Sequence, residues 1–339
     1  MLHDKTQPIP AEWAPQKALW TCWPSHPELW AGDLLETARS EIAQMVRAVA
    51  EFQPVKILCH SDPLCHPEQS EGSDMSSQIL HCVQNDKTNI EIIPARFGDI
   101  WLRDTGPIFT KDGTALRFQT NGWGGEFVYE FDDEVGDTVA KYAQTPIKRH
   151  DFVLEGGALD HNGAGAILTT RQCLLNPNRN GWDEAQATAI LKQTFSVHTV
   201  YWLDDGLLND HTDGHIDNLA RFVDEKTVLC QTAFGSDDPN TALYEKTARD
   251  LKAMGLNVIQ IPSPGLVRDE TGWIQPASHM NFIITNGVVV VPVYGTDSAD
   301  RAVSAIAELF PTRKVIGVPS RAVLTGGGSF HCITQQEPA

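Results

Sequence analysis

Four short stretches of this chain hold side chains able to do chemistry on a polar substrate. GGGSFHC at 326–332 ends in Cys332. A thiolate is a strong nucleophile, and a cationic neighbour lowers its pKa. The three glycines allow unusual backbone angles and close approach of a ligand, so the thiol is expected to be more exposed than one on a strand face. GHIDN at 214–218 carries His215 and Asp217 two residues apart. On a strand such a pair faces one side, and histidine moves protons near neutral pH. LEGG at 154–157 sets Glu155 before two glycines, and RDTGP at 103–107 sets Asp104 before a Gly-Pro turn. Each carboxylate should lie at a strand end. Singly, these residues have ordinary readings: an inert thiol, a structural histidine, turn-forming acids. Together they suggest an acid-lined cation site. A planar guanidinium suits it, because carboxylates bind that group through paired parallel hydrogen bonds.

The same histidines allow a rival reading. His211, Asp213, His215 and Asp217 form a dense donor cluster that His279 could join, in the manner of a metal-dependent hydrolase. The chain has no HExxH, however, and the His211–His215 spacing suits a helix better than a strand. GGG at 326–328 does not fit GxGxxG and no helix is expected after it, which excludes a dinucleotide loop.

The elements that must position these residues recur. Each unit reads as an amphipathic helix, a short apolar strand, a polar cluster and a β-hairpin. The clearest copy has a helix over 240–255, a strand over 257–261, ASHMN at 277–281, and a hairpin over 281–295 turning at Asn286-Gly287. A second has a helix at 183–195, a strand at 197–203, DHTDGHIDN at 210–218 and a hairpin to 233. A third has a helix at 133–143, DFVLEGG at 151–157 and a hairpin to 170. Another has a helix at 34–51, a strand at 55–59, IWLRDTGPIF at 100–109 and a hairpin to 118. The last has a helix at 299–310, a strand at 315–318 and the Cys332 stretch, and the segment around ALWTCW supplies its closing strands. The polar clusters lead with Asp104, Glu155, His215, His279 and Cys332. Stacking such units around an axis brings equivalent positions together, so a ring of five places all five clusters near one centre.

The 339 residues carry a formal net charge of −18, which disfavours nucleic acid and anionic lipid and mildly favours cationic partners. No apolar run suits a membrane span, the N-terminus lacks a signal-peptide layout, and a cytoplasmic location follows as the default. Seven cysteines with no CxxC argue against a disulfide framework; most should be buried, reduced thiols. The chain reads as one domain over 1–339. A polar stretch at 62–86 breaks the pattern and reads as a surface insertion; its Cys65, His66, His81 and Cys82 resemble metal ligands, but the surrounding composition suggests no rigid cage.

PAEWAPQKALWTCWP, DIWLRDTGP, LEGGALD, GHIDNLARF and GGGSFHCITQQEP, spread over nearly the whole chain, resemble the agmatine deiminase and bacterial peptidylarginine deiminase family. The resemblance implies a five-bladed pseudo-symmetric α/β propeller, the pentein fold. It also implies deimination of a guanidino substrate without cofactor or metal, with agmatine giving N-carbamoylputrescine and ammonia, in polyamine and putrescine biosynthesis. Cys332 matches the nucleophile, His215 the general acid/base, and Glu155 the carboxylate that orients or charges it. Asp104 and Asp217 match the pair gripping the guanidinium; Trp101 and Trp123 fall in stretches that line the substrate channel. Ser329-Phe330 stands where agmatine deiminases of the family commonly have Asn-Ile, the segment before WLRD also commonly differs, and the 62–86 insertion is foreign to them. Peptidylarginine or another guanidino compound therefore stays open as substrate, as does a non-catalytic guanidine-binding role. The partner expected is a small cationic guanidino compound, with a homodimer as the assembly.

Overall fold

The computed structural model describes residues 8–60, 79 and 89–339. In chain order the elements are β1 (Gln16–Cys22), α1 (Leu34–Ala50), β2 (Val55–His60), β3 (Ile90–Ala95), α2 (Leu102–Thr105), β4 (Ile108–Phe109), β5 (Ala115–Gln119), α3 (Val135–Ala143) and β6 (Ile147–Val153). Next come β7 (Asp160–His161), β8 (Ala166–Thr170), α4 (Arg171–Leu174), α5 (Glu184–Phe195), β9 (Thr199–Leu203), β10 (Ala220–Phe222), β11 (Thr227–Thr232), α6 (Thr241–Ala253) and β12 (Asn257–Pro262). The chain closes with β13 (Ile283–Ile284), β14 (Val288–Val293), α7 (Ala299–Leu309), β15 (Lys314–Pro319), α8 (Arg321–Thr325) and β16 (Thr334–Pro338).

These strands make five small sheets, four of three strands and one of four. Each three-stranded sheet is one repeat: an antiparallel hairpin, then a helix that returns the chain to a parallel third strand, as in β10-β11-β12 across α6. The fifth sheet is assembled from both ends of the chain. β1 pairs antiparallel with β16 and parallel with β2, and β3 extends it. The N-terminal segment therefore closes the ring, as the repeat pattern requires, and the fold is the five-bladed α/β propeller.

Local chemistry explains the units. On α1, Ile42, Met45, Val46 and Val49 recur at three- and four-residue steps and are all buried. Asp183 caps α5 in a reciprocal capping box with Gln186. In β14, Val288–Val291 are fully buried, as expected for a strand covered on both faces. The free cysteines among the described residues, Cys22, Cys59, Cys173, Cys230 and Cys332, are all buried. The stretch read as an insertion lies outside the described residues, apart from Ile79, which is buried in the first core cluster. No helix among the described residues is long and apolar enough to cross a membrane.

Charged groups lie where the units meet. Arg221, 1% exposed, bonds Asp160 through Nε at 2.7 Å, pairs with Glu12, and donates to the carbonyl of Phe282 at 3.0 Å. His331 Nε2 lies 3.3 Å from the same Glu12 carboxylate. Arg221→Leu would leave two buried carboxylates without their counter-ion. It is expected to destabilise the fold by about 3–5 kcal/mol, read as a lower calorimetric Tm.

Candidate active site

The segments between the last strand of one sheet and the hairpin of the next deliver the site. Asp104 sits in α2, Glu155 between β6 and a short 3-10 turn at Gly156–Ala158, and His215 and Asp217 at a second 3-10 turn, Ile216–Asn218. GHIDN is thus a turn and not the strand anticipated, because His215 bonds back through its N–H to Thr212 Oγ1 at 3.1 Å and closes the chain on itself. Likewise Asp104 is helical and does not end a strand.

Their convergence is measured by Gly157. A Cβ built there would lie 2.6 Å from His215 Nδ1, 2.9 Å from Asp104 Oδ1 and 3.1 Å from Asp217 Oδ2. Glycine is required at this point because the three functional groups occupy the space of a methyl. The Gly157 N–H also donates to Asp104 Oδ1 at 2.8 Å. Trp123 Nε1 donates to Asp104 Oδ2 at 2.9 Å from a backbone held at φ 51°, a region costly for a bulky residue.

Cys332 faces this group. Its Sγ lies 3.6 Å from Asp217 Oδ2 and accepts a 3.1 Å hydrogen bond from Asn281 Nδ2. Asn281 Oδ1 takes the N–H groups of His331 and Cys332 at 2.9 and 3.2 Å, so one side chain fixes both the thiol and its backbone. The fourth repeat therefore contributes Asn281 to the centre. His279 instead bonds the Pro292 carbonyl at 2.8 Å, and burial drops its pKa to about 4, which keeps it neutral. The glycine run does not expose the thiol: Cys332 is 4% exposed. A Cβ on Gly328 would lie 2.8 Å from the Trp101 ring and 3.0 Å from Cys332 Sγ, so the glycine makes room for tight packing.

The site opens into a cavity of about 150 Å³ lined by Trp101, Asp104, Trp123, Phe127, Tyr129 and Cys332, with His211 and Thr212 at one side and the loop from Thr325 to Gly327 at another. Trp101 is anchored by Asp99 at 2.9 Å and stacks on Trp30. His211 stands against Phe127 and away from His215's cluster. The group of three close metal-type ligands among the described residues is Glu155, Cys173 and His215, so the sequence-derived cluster built on His211 does not form.

Electrostatics follow from burial. Burial pushes the Cys332 thiol well above its ordinary range, and the Asp217 and Asp104 carboxylates push it further, against the Asn281 hydrogen bond. Asp104 is raised by burial and by Asp217, with His215 opposing. Burial would also raise Asp217, yet the His331 hydrogen bond at 2.8 Å and the charges of His331 and His215 hold it low. Burial would lower His215, but Asp104, Cys173 and Glu155 outweigh it and hold the imidazolium well above the usual range. Asp104 Oδ2 is 3.7 Å from His215 Nδ1. Glu155 Oε1 is taken by Arg179 Nε at 2.8 Å, and burial raises this acid against the Arg179 charge. Glu155 makes no direct hydrogen bond to His215, which the role implied by the resemblance would suggest; its charge is one of those that raise the His215 pKa.

Sequence reasoning missed Asn281, His331, Arg179 and Cys173. Asn281 and His331 stood inside quoted motifs, ASHMN and FHC, but an amide that fixes a thiol has no distinctive spacing of its own.

A cysteine, an imidazolium and two buried carboxylates in a five-bladed propeller define a guanidine-modifying enzyme. The model of the Porphyromonas-type peptidyl-arginine deiminase family matches residues 8–338, and the chain belongs to that family. Agmatine deiminase of Stutzerimonas stutzeri is 33% identical over 98% of this chain and 95% of its own length. A substrate-bound agmatine deiminase of C. jejuni is 31% identical with TM-score 0.87, over 98% of this chain and 96% of that one. Agmatine deiminase of Enterococcus faecalis is 28% identical with TM-score 0.87, over 99% and 96%.

Proposed function

We propose that this chain hydrolyses agmatine to N-carbamoylputrescine and ammonia through a covalent thiouronium on Cys332. The observation that carries the reading is the meeting of Asp217, Asp104 and His215 around Gly157, with Cys332 Sγ 3.6 Å from Asp217 at the wall of an aromatic cavity. Its near relatives carry the same activity in their names.

Asp104 and Asp217 hold the guanidinium by charge-assisted hydrogen bonds; Asp217 Oδ1, buried and without a hydrogen-bond partner, is free to accept one. The resting thiol stays protonated, because two carboxylates and burial oppose its ionisation. A bound cation reverses that field, so the substrate itself favours the thiolate, whose proton departs to solvent. The thiolate attacks the central carbon. The His215 imidazolium gives its proton to the departing nitrogen, and ammonia leaves. Neutral His215 then takes a proton from water, the hydroxide adds to the thiouronium carbon, and the carbon–sulfur bond breaks to release the ureido product and regenerate Cys332. Fixed carboxylates and orientation supply what the weakly electrophilic guanidinium lacks. Glu155, through its charge beside His215, favours the imidazolium that the first step consumes. No cofactor enters these steps.

The cavity wall favours agmatine over arginine. No lysine or arginine is among its described lining residues, so an α-carboxylate would enter an aromatic, acid-based pocket without a cation to meet it. An ammonium tail instead meets the faces of Trp101, Trp123, Phe127 and Tyr129. Colorimetric measurement of ureido product should give a kcat/KM for agmatine at least about 100-fold above that for free arginine. Equal values would reject this assignment, and a preference for an arginyl peptide would move the substrate to peptidylarginine.

A further inference from the structure

Cys173 plays no part in the steps above, yet its thiol lies beside the general acid. It is the third residue of the short α4, with its N–H bonded to the capping Thr170 Oγ1 at 3.3 Å, and it is fully buried. Its Sγ, a carboxylate oxygen of Glu155 and a ring nitrogen of His215 all lie within 4.8 Å of one another. All three residues are buried: Glu155 is 4% exposed, and Cys173 and His215 are 0%. Two of them also carry unused valence. Glu155 Oε2 and both nitrogens of His215 have no hydrogen-bond partner. Arg179 fixes Glu155 by its other oxygen, so the unpartnered one is held in place and not free to swing to solvent.

We infer that Glu155, Cys173 and His215 form a site for a thiophilic divalent cation such as Zn2+, and that its occupancy blocks the enzyme. One sulfur, one imidazole nitrogen and one carboxylate oxygen are the donor set that borderline-soft ions take, at about 2.0–2.3 Å. Those bond lengths put tetrahedral ligands roughly 3.5 Å apart, which small side-chain rotations reach from the separation here. Binding displaces two protons to solvent, one from the Cys173 thiol and one from the His215 imidazolium; thiolate, carboxylate and neutral imidazole then supply two negative charges to the ion. The fourth position goes to water. A small void of about 10 Å³, bordered by Asp104, Asn121, Trp123 and Glu155, adjoins the Glu155 side of the cluster and shares Asp104 and Trp123 with the wall of the substrate cavity.

This site differs in residues and in consequence from a metallohydrolase centre on His211. The ion here is an inhibitor and not a cofactor, because it occupies the imidazole that must carry a proton. That inhibitory consequence rests on the catalytic reading of His215; the site itself rests on geometry alone.

The test separates the two. Co2+ is titrated into the full-length Cys332→Ala protein, which lacks the nucleophile's sulfur, and the thiolate-to-cobalt charge-transfer absorption is followed. One equivalent should saturate the band. Adding Cys173→Ser should abolish the band, and adding Glu155→Gln, which preserves side-chain volume, should weaken binding by more than the roughly 10- to 100-fold that changes outside a ligand shell cost. Absence of a band in Cys332→Ala, or a band indifferent to Cys173→Ser, would overturn the site; the latter would assign the ion to other thiols, such as Cys65 and Cys82. Separately, zinc chloride should inhibit ammonia release from agmatine. The half-inhibiting concentration should rise at least about tenfold in Cys173→Ser, with each form normalised to its own metal-free rate. Equal sensitivity would overturn the inhibitory role. The cobalt titration reads the site whether or not agmatine is the substrate.

Discussion

Replacing Cys332 by alanine is expected to lower kcat for ammonia release from agmatine by at least about 10⁴-fold, while agmatine still binds. The nucleophile's contribution is made only as the carbon–sulfur bond forms, so the loss should fall on kcat. Asp104 and Asp217 remain, and the thiol that is lost is a neutral group whose ionisation they oppose. Calorimetry with agmatine should therefore still show binding to Cys332→Ala, with affinity within about tenfold of the dissociation constant of the intact protein. Loss of binding together with turnover would mean that the sulfur organises the pocket, and a small effect on kcat would remove Cys332 from the chemistry.

The second large effect is expected at a residue with no functional group. Gly157→Ala places a methyl 2.6 Å from His215 Nδ1, inside any contact that real side chains make. Asp104 Oδ1 and Asp217 Oδ2 crowd the same point. These atoms are held from outside, Asp104 by Trp123 at 2.9 Å and Asp217 by His331 at 2.8 Å, so they cannot all retreat. A shift near 1 Å in reacting groups costs about 100-fold. Gly157→Ala should lose at least that factor in kcat/KM while the far-ultraviolet circular dichroism stays that of the parent. Turnover near the parent's would show that the four groups do not act at one point.

Much of this was legible in the chain. The repeat of helix, strand, polar cluster and hairpin shows because α/β units must present one apolar stripe to a neighbour, as Ile42, Met45, Val46 and Val49 of α1 do. Closure by the N-terminal strand was legible too, since the last unit lacked strands and the segment ending at Cys22 had none of its own to pair with; β1 lies between β16 and β2. The convergence of Cys332, Asp104, His215 and Asp217 was legible because side chains with chemistry stood at the same place in successive units. The fourth unit misled, since His279 has the more reactive side chain, but the turn before β13 presents Asn281 to the thiol and directs His279 to the Pro292 carbonyl. Alternation along two residues cannot reveal which of them faces inward when the segment is a turn. The exposure of Cys332 was misjudged for a related reason. Three glycines read as openness, whereas here they admit the rings of Trp30 and Trp101 against the chain. The Glu12–Arg221–Asp160 network was not legible at all, because its members lie far apart in sequence and meet only once the ring is closed.

The central claim is that the guanidino carbon passes through a bond to the sulfur of Cys332. Acid quench of the protein during turnover with agmatine, followed by peptide mass spectrometry, measures this directly. The account predicts a mass gain equal to agmatine less ammonia on the peptide containing Cys332, decaying as ureido product accumulates. Ammonia release with no adduct on that peptide, or with the adduct on another cysteine, would contradict it.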